Sequence, residues 1–127
     1  MQANSLISTR GGMLRSSIVP TVYGDGALLL DLTTKYFYHL NATGWAIVRL
    51  MENSATPPGP ILKRCGQWGA TSEDAAEIWR FLDDLHAFGL LEHAEPASLP
   101  DIDAPVRWEN PRLLELRLGG RPDLYRG

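Results

Sequence analysis

Residues 26–41, GALLLDLTTKYFYHLN, constrain the fold of this chain more than any other segment. Leu28, Leu30 and Leu32 alternate with Leu29 and Asp31, and Tyr36, Tyr38 and Leu40 alternate with Phe37 and His39. Period-two patterning in aliphatic and aromatic residues predicts two strands. Thr33-Thr34-Lys35 is a polar connection of hairpin length. The hairpin closes on Asn41, whose side chain can accept from the backbone N–H groups that open a helix. A hairpin ahead of a helical remainder leaves an edge of unpaired N–H and C=O groups, which must be covered, blunted or used.

The remaining elements follow from the same pattern reading. Residues 1–17 are polar, with a Gly11-Gly12 pair, and are expected to be disordered. Residues 18–23 suit a short edge strand, a place that tolerates Pro20. Ala46, Ile47, Leu50 and Met51 repeat at helical spacing over about 42–51, and two prolines and a glycine end that helix at 57–59. A second helix is expected at about 60–67, with Pro60 at its first position. Thr71 or Ser72 caps a third, in which Ala75, Ile78, Leu82, Leu85 and Phe88 form an apolar stripe that Phe81 widens. Gly89 is placed to end it, and 90–92 adds a short extended piece. From His93 the chain turns proline-rich, as a linker does. Residues 112–118 alternate Arg and Leu and suit a strand or a helical turn. The order of three strands and three helices predicts an α+β, winged-helix-like unit: a three-stranded antiparallel sheet packed on three helices. The expected division is a disordered segment at 1–17, a domain at 18–93 and a linker and tail at 94–127.

Composition excludes several classes of function. A chain of 127 residues holds one small domain. Its net charge of −3 argues against nucleic acid as a partner, because phosphate binding needs a basic surface. A winged-helix transcription regulator would send the third helix into a groove. That helix carries Glu73, Asp74, Glu77, Asp83 and Asp84 against Arg80 alone, so phosphates would repel it. Cys65 is the single cysteine, so no intramolecular disulfide forms and a reduced cytoplasm fits. No apolar run reaches the roughly 18–20 residues that span a bilayer, so no membrane association is expected. Catalysis has weak support. Cys65 beside Arg64 would need a histidine, and none is near it in sequence. His39, His86 and Cys65 lack paired metal-ligand spacing. No metal and no cofactor are expected, and the chain reads as a binding protein rather than an enzyme.

Binding of an extended peptide fits best, since a guest strand can complete an open sheet edge. Tyr36 and Tyr38 are expected in the core, with Phe37 and His39 turned to the other side; Trp79 suits either core or groove wall. The runs GALLLDLTTKYFYHLNATGWAIVRLM and AAEIWRFLDDLHAFGLLE together resemble the PqqD-like family, also called RiPP recognition elements, over roughly residues 19–92. The resemblance implies a non-catalytic chaperone. It captures the leader region of a ribosomally made precursor peptide as an added strand, between the third strand and the third helix. It then presents the peptide to a modifying enzyme or leader protease. The implied peptide-binding residues are Lys35, Tyr36, Phe37, Tyr38, His39, Trp79, Leu82, Asp83 and His86. Lasso peptide biosynthesis is favoured, with a chaperone for pyrroloquinoline quinone synthesis as the alternative within the family.

The tail adds a further expectation. Trp108, Pro111 and Leu113 resemble the aromatic-x-x-Pro-x-Leu anchor set of lasso leader peptides, with Trp in place of the usual Tyr. Residues 93–107 are long enough, at up to about 3.3 Å each, to span a domain of this size. The tail is therefore either a linker with an incidental Pro and Leu or a leader-like segment. In the second case it fills the groove of its own chain, or that of a neighbour in a strand-exchanged dimer.

Overall fold

The structure is a computed structural model and describes residues 12–53, 55–94 and 98–117. Its elements are β1 (Met13–Leu14), β2 (Ile18–Tyr23), β3 (Gly26–Asp31), β4 (Tyr36–Leu40), α1 (Ala42–Leu50), α2 (Pro58–Gln67), a 3-10 turn at Ser72–Asp74, α3 (Ala75–Ala87), β5 (Leu91–Glu92) and β6 (Leu113–Arg117). The antiparallel sheet has four strands in the order β2-β3-β4-β6, where the sequence predicts three; β1 and β5 form a separate pair. The fourth strand comes from the tail.

Residues directly opposite each other share a face of a sheet. The register aligns Leu29 with Tyr38 and Glu115, and Ala27 with Leu40 and Leu113. Leu29, Tyr38 and Leu40 are buried to 2% exposure or less, so this face meets the helices. Ile47, Val48 and Leu50 of α1, Ile61 and Cys65 of α2, and Ile78, Phe81, Leu82 and Leu85 of α3 complete the core. The opposite face carries Val19, Leu30, Phe37 and Leu116 in one row and Leu28, His39 and Leu114 in the next.

Local chemistry accounts for the element ends. In the hairpin turn, the Asp31 carboxylate accepts from the Thr33 N–H at 2.9 Å, and the Asp31 carbonyl accepts from the Lys35 N–H at 2.7 Å. Lys35 takes the left-handed conformation there, at φ +67°. At the start of α3 the Asp74 carboxylate accepts from the Thr71 N–H at 2.7 Å. At its end, the Gly89 N–H donates to His86 and the Leu90 N–H to Leu85, with Gly89 at φ +73°. That is the glycine-terminated stop expected of this position.

The N-terminal expectation needs correction. Residues 1–11 lie outside the described residues, but Gly12 bridges Thr56, and Met13–Leu14 pairs with Leu91–Glu92. Leu14 and Leu91 are buried together where the two ends of the domain meet, so the folded unit starts before residue 18. A two-residue strand leaves no periodic signal to read. Residues 98–107 have no regular structure, yet Leu99 and Ile102 pack on the core, and Arg64 donates to the Pro100 carbonyl at 2.9 Å.

Candidate peptide-binding site

The outer edge of β4 is fixed by alternation. The Leu32 N–H donates to Ser17, beside the β2 strand, so the even-numbered residues of β3 turn their polar groups to β2 and the odd ones to β4. Leu29 and Ala27 thus exchange bonds with Tyr38 and Leu40. Phe37 and His39 point their N–H and C=O groups the other way, toward β6. The Asn41 N–H, next in that series, donates to the Arg112 carbonyl at 3.4 Å. Phe37 lies opposite Leu116 and His39 opposite Leu114. The row of backbone groups that a guest strand would use is thus held by residues 113–117 of the same chain.

Upstream of β6 the tail is clamped at the N-terminus of α1. Asn41 caps that helix, its side-chain oxygen accepting from the Gly44 N–H at 2.9 Å. The same oxygen accepts from the Arg112 N–H at 2.9 Å, and the Asn41 amide donates to the Asn110 carbonyl at 2.9 Å. One side chain thus grips the backbone on both sides of Pro111, which has no N–H of its own to satisfy. The Thr43 hydroxyl accepts from the Glu109 N–H at 3.4 Å. A Cβ at Gly44 would lie 3.1 Å from the Arg112 carbonyl and 3.1 Å from the Phe81 ring, so glycine permits the close approach.

Three tail side chains face the domain. Pro111 is buried, and Leu113 and Trp108 pack against the core. A Cβ at Gly69 would lie 3.2 Å from the Trp108 Cβ. The Trp108 indole N–H is buried with no hydrogen-bond acceptor among the described residues.

The residues expected from sequence divide into those at this edge and those apart from it. Tyr36 and Tyr38 lie on the helix-facing side of β4, and Phe37 and His39 on the open side, where His39 meets the Tyr23 ring edge-on at 5.9 Å. Lys35 is exposed in the turn. On α3, Trp79 and Asp83 are half-buried and His86 is exposed. Leu82, at 1% exposure, lines an interior space with Met51, Ile61 and Leu91 rather than the β4 groove. Phe88, just past the end of α3, sets its ring 5.5 Å from that of Tyr38, and the Phe81 ring lies beside Gly44. Asn41, Thr43 and Gly44 also belong to the site, although the sequence pattern does not single them out for it. The Asn-x-Thr-Gly run marks a helix start, and nothing local indicates a second use for it.

Cys65 is fully buried, and burial pushes its thiol from 9.0 up to about 12, so it is no nucleophile at neutral pH. Among the described residues no group of three or more His, Cys, Asp or Glu side chains can hold a metal ion. Among them, too, no helix is long and apolar enough to cross a membrane.

No protein-family model matches the chain, and no curated protein matches it. Among solved structures, TbiB1 in complex with the TbiA(beta) leader peptide matches with a TM-score of 0.55 and 26% sequence identity, over 65% of this chain and 99% of that one. The chain therefore shares its fold with a protein whose structure holds a leader peptide.

Proposed function

We propose that this chain is a non-catalytic peptide-recognition domain of the PqqD-like kind. It takes the leader region of a ribosomally made precursor peptide as a strand on the edge of β4 and presents it to a modifying enzyme or leader protease. The observation that carries this reading is the outward row of Phe37 and His39 backbone groups, matched in antiparallel register by a strand that follows an aromatic-x-x-Pro anchor. Main-chain bonds along such an edge give affinity, and pockets for alternate side chains give specificity. Here the positions of Trp108, Pro111 and Leu113 are turned inward. Leu114 stays 57% exposed, on the open face where a partner enzyme can read the guest. The likeness to leader-bound TbiB1 supports the same reading. The Trp-x-x-Pro-x-Leu pattern favours the lasso class of precursor over the pyrroloquinoline quinone class.

A labelled precursor leader of about 20 residues should bind with a Kd in the micromolar to nanomolar range, with its aromatic and proline as anchors. Fluorescence anisotropy measures this directly, and equal binding of a scrambled leader would dismiss the reading.

A further inference from the structure

The strand on the β4 edge belongs to this chain, and its docking has a weak point. Pro111 is buried and Leu113 packs on the core, but the Trp108 indole N–H has no acceptor among the described residues. A buried donor left unpaired weakens the docking of the segment that carries it. Among the described residues β6 also pairs on one side only, whereas β3 and β4 are each held between two strands. The approach to it, residues 98–107, has no regular structure. The segment is thus well enough matched to find the site and poorly enough matched to leave it.

We infer that residues 108–117 are a guest in cis: a tethered competitor that keeps the peptide site closed until a better-matched peptide of the same anchor pattern displaces it. The inference rests on the leader-binding reading above. Tethering by a short linker sets a local concentration of about a millimolar. A tail of about 10 μM intrinsic affinity then fills its own site about 99% of the time and weakens a competing peptide about a hundredfold. Such a site ignores weak matches. It opens to a guest that places all three anchors without an orphan donor, or to one delivered at high concentration by a bound enzyme.

The test uses the full chain, a full-chain variant Trp108→Ala/Leu113→Asp, and a labelled peptide with the sequence of residues 106–117. The variant should bind this probe at least about tenfold more tightly than the unaltered chain, because its own strand no longer competes. A variant that is folded by circular dichroism and binds no more tightly overturns the inference. Adding His39→Pro to the variant separates the two readings. If the probe still binds, the β4 edge is not the peptide site and the leader-binding reading falls with it. If His39→Pro abolishes binding that was equal in variant and unaltered chain, only the cis competitor falls.

Hydrogen exchange on the unaltered chain gives a second readout that no folding defect can obscure. The Leu114 and Leu116 amides, which face β4, should exchange through a local opening at least about a hundredfold faster than the Leu29 amide between β3 and β4. Exchange of all three at one common rate marks β6 as a permanent strand and overturns the inference. Light scattering should give a monomer mass. A dimer that dissociates as the tail anchors are removed would place the pairing between chains and overturn the cis arrangement.

Discussion

Replacing Asn41 tests the clamp and the cap separately. Its side chain makes three bonds of 2.9 Å: one accepted from Gly44 within α1, one accepted from Arg112, and one donated to Asn110. Asn41→Ala removes all three. Loss of the cap costs the domain about 1 kcal/mol. Loss of two bonds to the tail, at about 0.5–1.5 kcal/mol each, loosens β6 by about 1–3 kcal/mol. Asn41→Asp keeps the acceptor, and a carboxylate at a helix N-terminus is a good cap. It loses the donor and sets a second carboxylate oxygen toward the Asn110 carbonyl, so only the tail should loosen. Urea unfolding reads the cap: with a slope of about 1–3 kcal/mol per molar, Asn41→Ala should lower the midpoint by about 0.3–1 M, and Asn41→Asp by much less. Exchange of the Leu114 and Leu116 amides reads the clamp: Asn41→Ala should accelerate it by about 5- to 150-fold, and Asn41→Asp, which loses one of the two tail bonds, by at least about twofold. Unchanged exchange in both variants would refute the clamp. An equal loss of midpoint in both would refute the division of labour between oxygen and nitrogen.

Other substitutions follow from the same geometry. Phe37→Pro or His39→Pro removes a donor that faces β6 and leaves the β3 ladder whole, so either should stay folded and lose strand pairing at the edge; Tyr38→Pro, whose N–H faces β3, should unfold the sheet by circular dichroism. Gly44→Ala gains up to about 1 kcal/mol of helix propensity but crowds the Arg112 carbonyl, so thermal stability should hold while β6 amides exchange faster. Cys65 should resist alkylation by iodoacetamide until the chain is denatured, since its thiol is buried and neutral. Because folding raises its pKa from 9.0 to about 12, the unfolded state loses the proton first. Stability is then intact below pH 9 and falls through the window from 9 to 12 at up to about 1.4 kcal/mol per pH unit. Cys65→Ala should abolish that slope in alkaline urea titrations; an unaltered slope would assign it to other groups.

The elements that local pattern can encode are legible in the amino-acid sequence. The β3–β4 hairpin, the three helices, the glycine at the end of α3 and the inward set of Tyr36, Tyr38 and Leu40 all follow from alternation, helical spacing and capping chemistry. Each is decided by neighbours within a turn or a strand pair. The anchor spacing of Trp108, Pro111 and Leu113 is legible too, as a pattern. Whether residues 112–118 form a strand or a helical turn is not, because a five-residue strand such as Leu113–Arg117 gains structure only from a partner. That partner, β4, lies far away in sequence: Asn41 meets Arg112 across 71 positions. The same distance hides the second role of Asn41, a helix cap locally and a backbone clamp globally. It hides the β1–β5 pair, whose two-residue strands carry no period. The family resemblance implies Leu82 as a groove residue, whereas the helical stripe that puts it among the apolar residues of α3 agrees with its place beside Met51, Ile61 and Leu91. Local sequence sets the shape of the domain and the chemistry of its open edge; long-range packing decides what lies on that edge.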